Sequence, residues 1–138
     1  MFHYNGPSCT STEPCPDGLH YWFDYAAETQ YAFTSVSDIE DTALSCQITR
    51  GTNETRKIFF GVNMFVTPPS QSAARTLNTM SFAGNHIKKC SQLNDNDDVN
   101  LLFVDFWSEG MLLPELVQEH NKALGSRRLQ QKMLRTNP

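Results

Sequence analysis

Three short runs, Tyr25 to Phe33, Lys57 to Thr67 and Asn100 to Trp107, constrain this chain more than anything else in it, because each is apolar and rich in aromatic or β-branched residues. Runs of that length and make-up are expected as strands buried on both faces. Phe2 to Tyr4 is a further extended candidate. Between Gly6 and Gly18 the chain is dense in Pro, Ser, Thr and Cys, which predicts a loop.

The segments between the strands carry helix signals. Pro68-Pro69 stops the second strand, and Ser70 caps a helix running towards Leu77. Ser81 restarts it, and Phe82, His86, Cys90 and Leu93 recur at helical spacing until the Asn94 to Asp98 run. Lys88 and Lys89 fall in the last turns, where the helix dipole favours cations. A strand, helix, strand unit of this length suits a right-handed parallel crossover. Pro114 then opens a last helix with Leu113, Leu116, Val117, His120 and Leu124 on one stripe and Gly125 as its stop. Residues 126–138, with Arg127, Arg128, Lys132 and Arg135, read as a basic, solvated terminal helix or tail.

A chain of 138 residues is one domain or a piece of a larger one, and 39% hydrophobic with 19% charged residues is ordinary globular composition. The net charge of -4 argues against a nucleic-acid partner, since counterion release needs a basic footprint. No run approaches the roughly 20 apolar residues of a membrane span, and Asp105 interrupts the best one. The start, Met1 to Gly6, has no signal-peptide character. Cys9, Cys15, Cys46 and Cys90, with the glycosylation acceptor Asn53-Glu54-Thr55, nevertheless lean towards the secretory pathway or the extracellular space. No CxxC spacing suggests zinc, so no metal is expected. Disulfides in any of three pairings compete with free, buried thiols.

Each strong strand carries a polar residue: Glu28, Asn63 and Asp105. A carboxylate among aromatic and aliphatic neighbours costs several kcal/mol to bury unless it is paired. In parallel α/β architectures the ligand site lies beyond the strands' C-terminal ends. Three polar residues at comparable strand positions are therefore expected to converge on one mouth. The structural alternatives are an edge residue for Glu28, a turn cap for Asn63 and a solvated strand end for Asp105. Arg50-Gly51 reads as a turn stabilised by a neighbouring disulfide, with approach to a phosphate as the alternative, and Asn94-Asp95-Asn96-Asp97-Asp98 as a solvated loop without the glycine and terminal Glu of a calcium loop.

Glu28-Thr29-Gln30-Tyr31 after His20-Tyr21-Trp22-Phe23, then Val62-Asn63-Met64-Phe65 with Thr67-Pro68, then Asn100 to Trp107, together resemble the last three barrel strands of the phosphatidylinositol-specific phospholipase C X-domain-like family. The resemblance covers most of residues 1–125. It implies an α/β fold with a parallel sheet, a partial TIM barrel of about the last four strand-helix units, whose N-terminal half-barrel is missing. It implies phosphoric diester hydrolysis by histidine acid and base in the complete protein, with no cofactor. Asp105 would orient a catalytic histidine, Glu28 would bind substrate hydroxyls, Tyr31 would stack beside the ring, Asn63 would sit at the pocket floor, and Trp107 would line the rim. The implied partner is a phospholipid or other phosphodiester, with peripheral membrane contact. The chain departs from the family in having no segment like the early strands that carry the two catalytic histidines and the phosphate-binding Arg, so turnover by this chain alone is not expected. The competing expectation is a non-catalytic module that binds a polyol or head group.

Overall fold

The computed structural model describes residues 2–3, 20–51, 58–95, 97–110 and 113–136. The Pro- and Cys-rich loop with Cys9 and Cys15, and the acceptor at Asn53, lie outside them. The described elements are β1 (Phe2–His3), β2 (His20–Tyr21), a 3-10 turn (Trp22–Asp24), β3 (Ala26–Thr29), α1 (Val36–Glu40), α2 (Thr42–Ser45), β4 (Ile48–Gly51), β5 (Phe59–Asn63), α3 (Gln71–Leu77), α4 (Met80–Leu93), β6 (Leu101–Phe103) and α5 (Leu113–Thr136).

All three strong runs form strands, but each strand is shorter than its run, and β3 and β6 take only its first half. β3, β5 and β6 are parallel neighbours, with Glu28 opposite Gly61 and Asn63 opposite Phe103. The expected helices lie between β5 and β6: Ser70 caps α3 by accepting from the Ala73 N–H, and Thr79 caps α4 by accepting from Phe82. Between β3 and β5 the chain does something the apolar pattern did not indicate. α1 opens on a capping box of Ser35 and Asp38, α2 follows, and the chain then returns along β3 as β4.

That return overturns the parallel barrel fragment. The sheet order is β4-β3-β5-β6, and β4 runs antiparallel to β3, pairing Arg50 with Glu28 and Gly51 with Ala27. The fold is a mixed, four-stranded α/β sheet rather than a partial TIM barrel with an all-parallel sheet. The physical reason lies in Ile48-Thr49-Arg50, whose side chains alternate between half-buried and exposed as an edge strand requires. Gly51, at φ 85°, lies so close to Ala26 that a Cβ would stand 1.9 Å from its carbonyl oxygen. Only glycine permits that approach.

One face of the sheet is the core. Ala27, Phe60, Val62 and Met64 pack there against Ile39 of α1, Leu77 of α3, Ala83, Ile87 and Cys90 of α4, and Leu116 of α5. Fully burying an aliphatic or aromatic side chain such as Val62 or Phe60 contributes about 1.5–3 kcal/mol. The disulfide expected in one of three pairings joins Cys46 to Cys90, fastening the end of α2 to α4. α5 does not stop at Gly125. It runs on to Thr136, since Gly125 meets nothing within 4 Å and no left-handed cap ends the helix there. Helix formers on either side, Ala123, Leu124 and Arg127, outweigh the roughly 1 kcal/mol that an internal glycine costs. Arg127 also pairs with Asp98 at 3.2 Å.

Candidate functional site

The sheet's second face follows from strand alternation. Since Ala27, Phe60 and Val62 face the core, Glu28, Gly61 and Asn63 face the other way, and Arg50 joins them from β4 through its register with Glu28. The 3-10 turn packs on this face. Trp22 stacks on Phe59 with ring centroids 5.4 Å apart. Gly61 leaves room for two neighbours, because a Cβ there would stand 2.7 Å from Phe103 Cε2 and 3.3 Å from Glu28 Cγ.

Glu28 is 1% exposed, and both carboxylate oxygens are engaged. Oε1 accepts a 2.7 Å hydrogen bond from the Trp22 indole N–H, and Oε2 accepts from the Arg50 guanidinium, with which it forms an ion pair. These contacts offset the cost of desolvating the carboxylate. They also hold Arg50 in one orientation. Its guanidinium carbon lies 4.0 Å from the centroid of the Tyr31 ring and 5.5 Å from that of Phe23, both within cation–π range. The Arg50 side chain keeps 20% of its exposure and Tyr31 keeps 43%. Tyr31 thus gives the cluster a solvent-facing side, while Glu28 and the Arg50 Nε are buried.

The sequence-predicted residues divide. Glu28 and Tyr31 meet, through Arg50. Asn63 is buried on the same face, but its side chain serves the sheet: its amide donates to the Thr29 carbonyl, and its backbone N–H donates to the Thr29 hydroxyl, both at 2.9 Å. Where β3 and β5 begin to part, these bonds replace the ladder. Asp105 lies past the end of β6 in a tight cleft with Met64, Val66, Ser70, Ala73 and Leu77, and neither Glu28 nor Asn63 lines that cleft. One Asp105 oxygen, Oδ2, is buried without a hydrogen-bond partner among the described residues. Trp107 is 69% exposed on the loop after β6. That loop is pinned by Asn78, whose amide donates to the carbonyls of Asp105 and Phe106, and by Glu109, which accepts from Arg75 and Gln71. Those bonds hold the Glu109 carboxyl below its ordinary range, the Arg75 bond most of all.

Glu28 takes its hydrogen bonds from Trp22 and Arg50, and His20, His86 and His120 make other contacts. His20 packs edge-on against Tyr25, His120 approaches the Val99 carbonyl at 3.1 Å, and His86 lies beside the disulfide, 3.6 Å from Cys90 Sγ. Burial pushes the His86 imidazole down to about 4.

Arg50 was expected in a turn, with approach to a phosphate as the alternative; its place on a strand and its pairing with Glu28 are what the sequence reading missed. The signal was available: a carboxylate on a buried strand demands a cationic or hydrogen-bonding partner, and the nearest Arg follows two β-branched residues, Ile48 and Thr49. Comparison with protein-family models, with curated proteins and with solved structures finds no match.

Proposed function

We propose that this chain binds a phosphate ester, of the polyol head-group kind, at the cluster of Arg50, Glu28 and Tyr31. One observation carries the reading: a guanidinium held by a buried carboxylate and lying against the half-exposed Tyr31 ring, on a side chain that keeps 20% of its exposure. Arg presents a planar fork suited to phosphoryl oxygens, and prior fixation lowers the ordering cost of binding. Tyr31 offers an aromatic wall to the carbon skeleton of the ligand. The resemblance of the Glu28 to Tyr31 segment to phospholipase C-like enzymes supports the ligand class. Phe106 and Trp107, exposed together on a pinned loop, support contact with a lipid surface that carries such head groups.

Calorimetric titration with inositol 1-phosphate and with inorganic phosphate tests the proposal. Binding of the ester should weaken roughly tenfold or more in Arg50→Lys, as loss of a charge-assisted hydrogen bond implies. It should be unchanged in Arg75→Lys, whose partner is Glu109. Equal affinity in both variants would reject the site.

A second reading, a phosphoric diester hydrolase in a longer protein, is favoured by Asp105, whose unpartnered buried oxygen suits a carboxylate that orients an imidazole. On that reading this chain alone releases no cyclic inositol phosphate from phosphatidylinositol. Robust release would show that the acid and base lie within it.

A further inference from the structure

Away from the sheet's second face, Cys46 Sγ, Cys90 Sγ and a ring nitrogen of His86 lie within 4.8 Å of one another, and all three residues are buried. Sequence spacing hides the group: His86 and Cys90 are one helical turn apart on α4, while Cys46 arrives from the end of α2. With the disulfide closed, the sulfurs are not thiolates and the trio cannot hold a metal. We propose that reduction of this disulfide converts the trio into a binding site for a thiophilic divalent cation of the zinc type.

One pair of donors already stands at the spacing of a metal site. A tetrahedral zinc centre with Zn–S of about 2.3 Å and Zn–N of about 2.0–2.1 Å sets its sulfur and nitrogen ligands about 3.5 Å apart. Cys90 Sγ stands 3.6 Å from His86 Nε2. Once the bond between them is gone, the two sulfurs must part to about 3.8 Å, and Cys46 Sγ, now within 4.8 Å of the imidazole nitrogen, must settle about 3.5 Å from it.

The surroundings hold the donors in place without the disulfide. The Asn94 side-chain amide donates to the carbonyls of both Cys46 and Cys90 at 2.9 Å, tying α2 to α4 independently of sulfur. Phe82 stacks on the His86 ring at 6.0 Å and fixes its plane. A cavity of about 410 Å³, lined by Glu40, Thr42, Phe82, Asn85 and Lys89 as well, reaches His86 from the surface.

The chemistry balances with a dithiol reductant. The S–S bond accepts two electrons and two protons, giving two thiols, and the reductant leaves as its own disulfide. The cation then displaces the two thiol protons and binds two thiolates and one neutral imidazole. The α2 to α4 tether would thus be a disulfide under oxidising conditions and a metal bridge under reducing ones.

The test uses the full chain carrying Cys9→Ser and Cys15→Ser, reduced with a phosphine and titrated with Co²⁺ as the optical probe. One Co²⁺ should bind per chain, with thiolate-to-cobalt charge transfer and the visible bands of a tetrahedral centre. The oxidised protein should bind none. Affinity should fall roughly a hundredfold or more in His86→Gln. No uptake by the reduced chain, uptake without thiolate bands, or equal affinity in His86→Gln would overturn the proposal. If reduction unfolds the chain, circular dichroism decides: Zn²⁺ should restore the helical signal, and a chain that stays unfolded with Zn²⁺ would overturn it equally.

Discussion

Replacing Glu28 by Gln removes one charge from a pair that is dry on one side and wet on the other. Breaking a buried ion pair by deleting one partner costs about 3–5 kcal/mol. Arg50 keeps 20% side-chain exposure and can partly recover its hydration, so the lower end applies, about 3 kcal/mol. Gln retains an acceptor for the Trp22 indole, but it turns an amide donor towards the guanidinium if it does so. Urea unfolding followed by tryptophan fluorescence should show a lower midpoint with an unchanged slope, since no additional surface is exposed. In the double variant Glu28→Met/Arg50→Met much of that loss should return, because an apolar pair of similar volume leaves no charge stranded. A cost below about 1 kcal/mol for Glu28→Gln, typical of an exposed pair, would refute the reasoning.

Gly61→Ala should cost about 1–3 kcal/mol by overpacking, because its methyl would press on the Phe103 ring and on Glu28 Cγ; chemical denaturation measures it, and a neutral result would mean that the two side chains do not lie over Gly61. Replacing Cys46 and Cys90 together by Ala frees a 44-residue separation in the unfolded chain, which should lower stability by about 4 kcal/mol on the loop-entropy relation, again by denaturation. The pH dependence carries the mark of His86. Its folded pKa, about 4, lies below the ordinary 6.5, so the unfolded chain binds the extra proton between those values. Stability is untouched above pH 6.5 and falls as the pH drops towards 4, by roughly 3 kcal/mol in all. His86→Phe should flatten that window in thermal melts; an unchanged profile would place the titrating group elsewhere.

What could be read from residues alone was whatever rests on local apolar pattern and capping. Each of the three apolar runs contains a strand, Ser70 caps a helix, and Phe82, His86 and Cys90 share a helix side, because burial and spacing are written in adjacent residues. β4 was not legible as a strand. Four residues ending in glycine carry little periodic signal, and what makes Ile48–Gly51 a strand is its pairing with β3, with Arg50 against Glu28, 22 residues away. Without β4 the sheet looked parallel throughout, and the barrel expectation followed. The site inherited that error in part. Glu28 needed a partner, and the search went forward to Asn63 and Asp105 on later strands rather than to the returning edge. The Cys46, His86 and Cys90 cluster was hidden for the same reason: only the helical-turn pair shares an element, and the third member comes from a separate helix end.

The most direct measurement of the central claim is made at one nitrogen. In a ¹⁵N spectrum of arginine side chains, titration with inositol 1-phosphate should move the Arg50 Nε–H resonance saturably and leave that of Arg75 in place, with the movement lost in Glu28→Gln. A saturating ligand that shifts neither resonance, or shifts both alike, would mean that the guanidinium above Tyr31 is a structural cation and that the phosphate ester is recognised elsewhere or not at all.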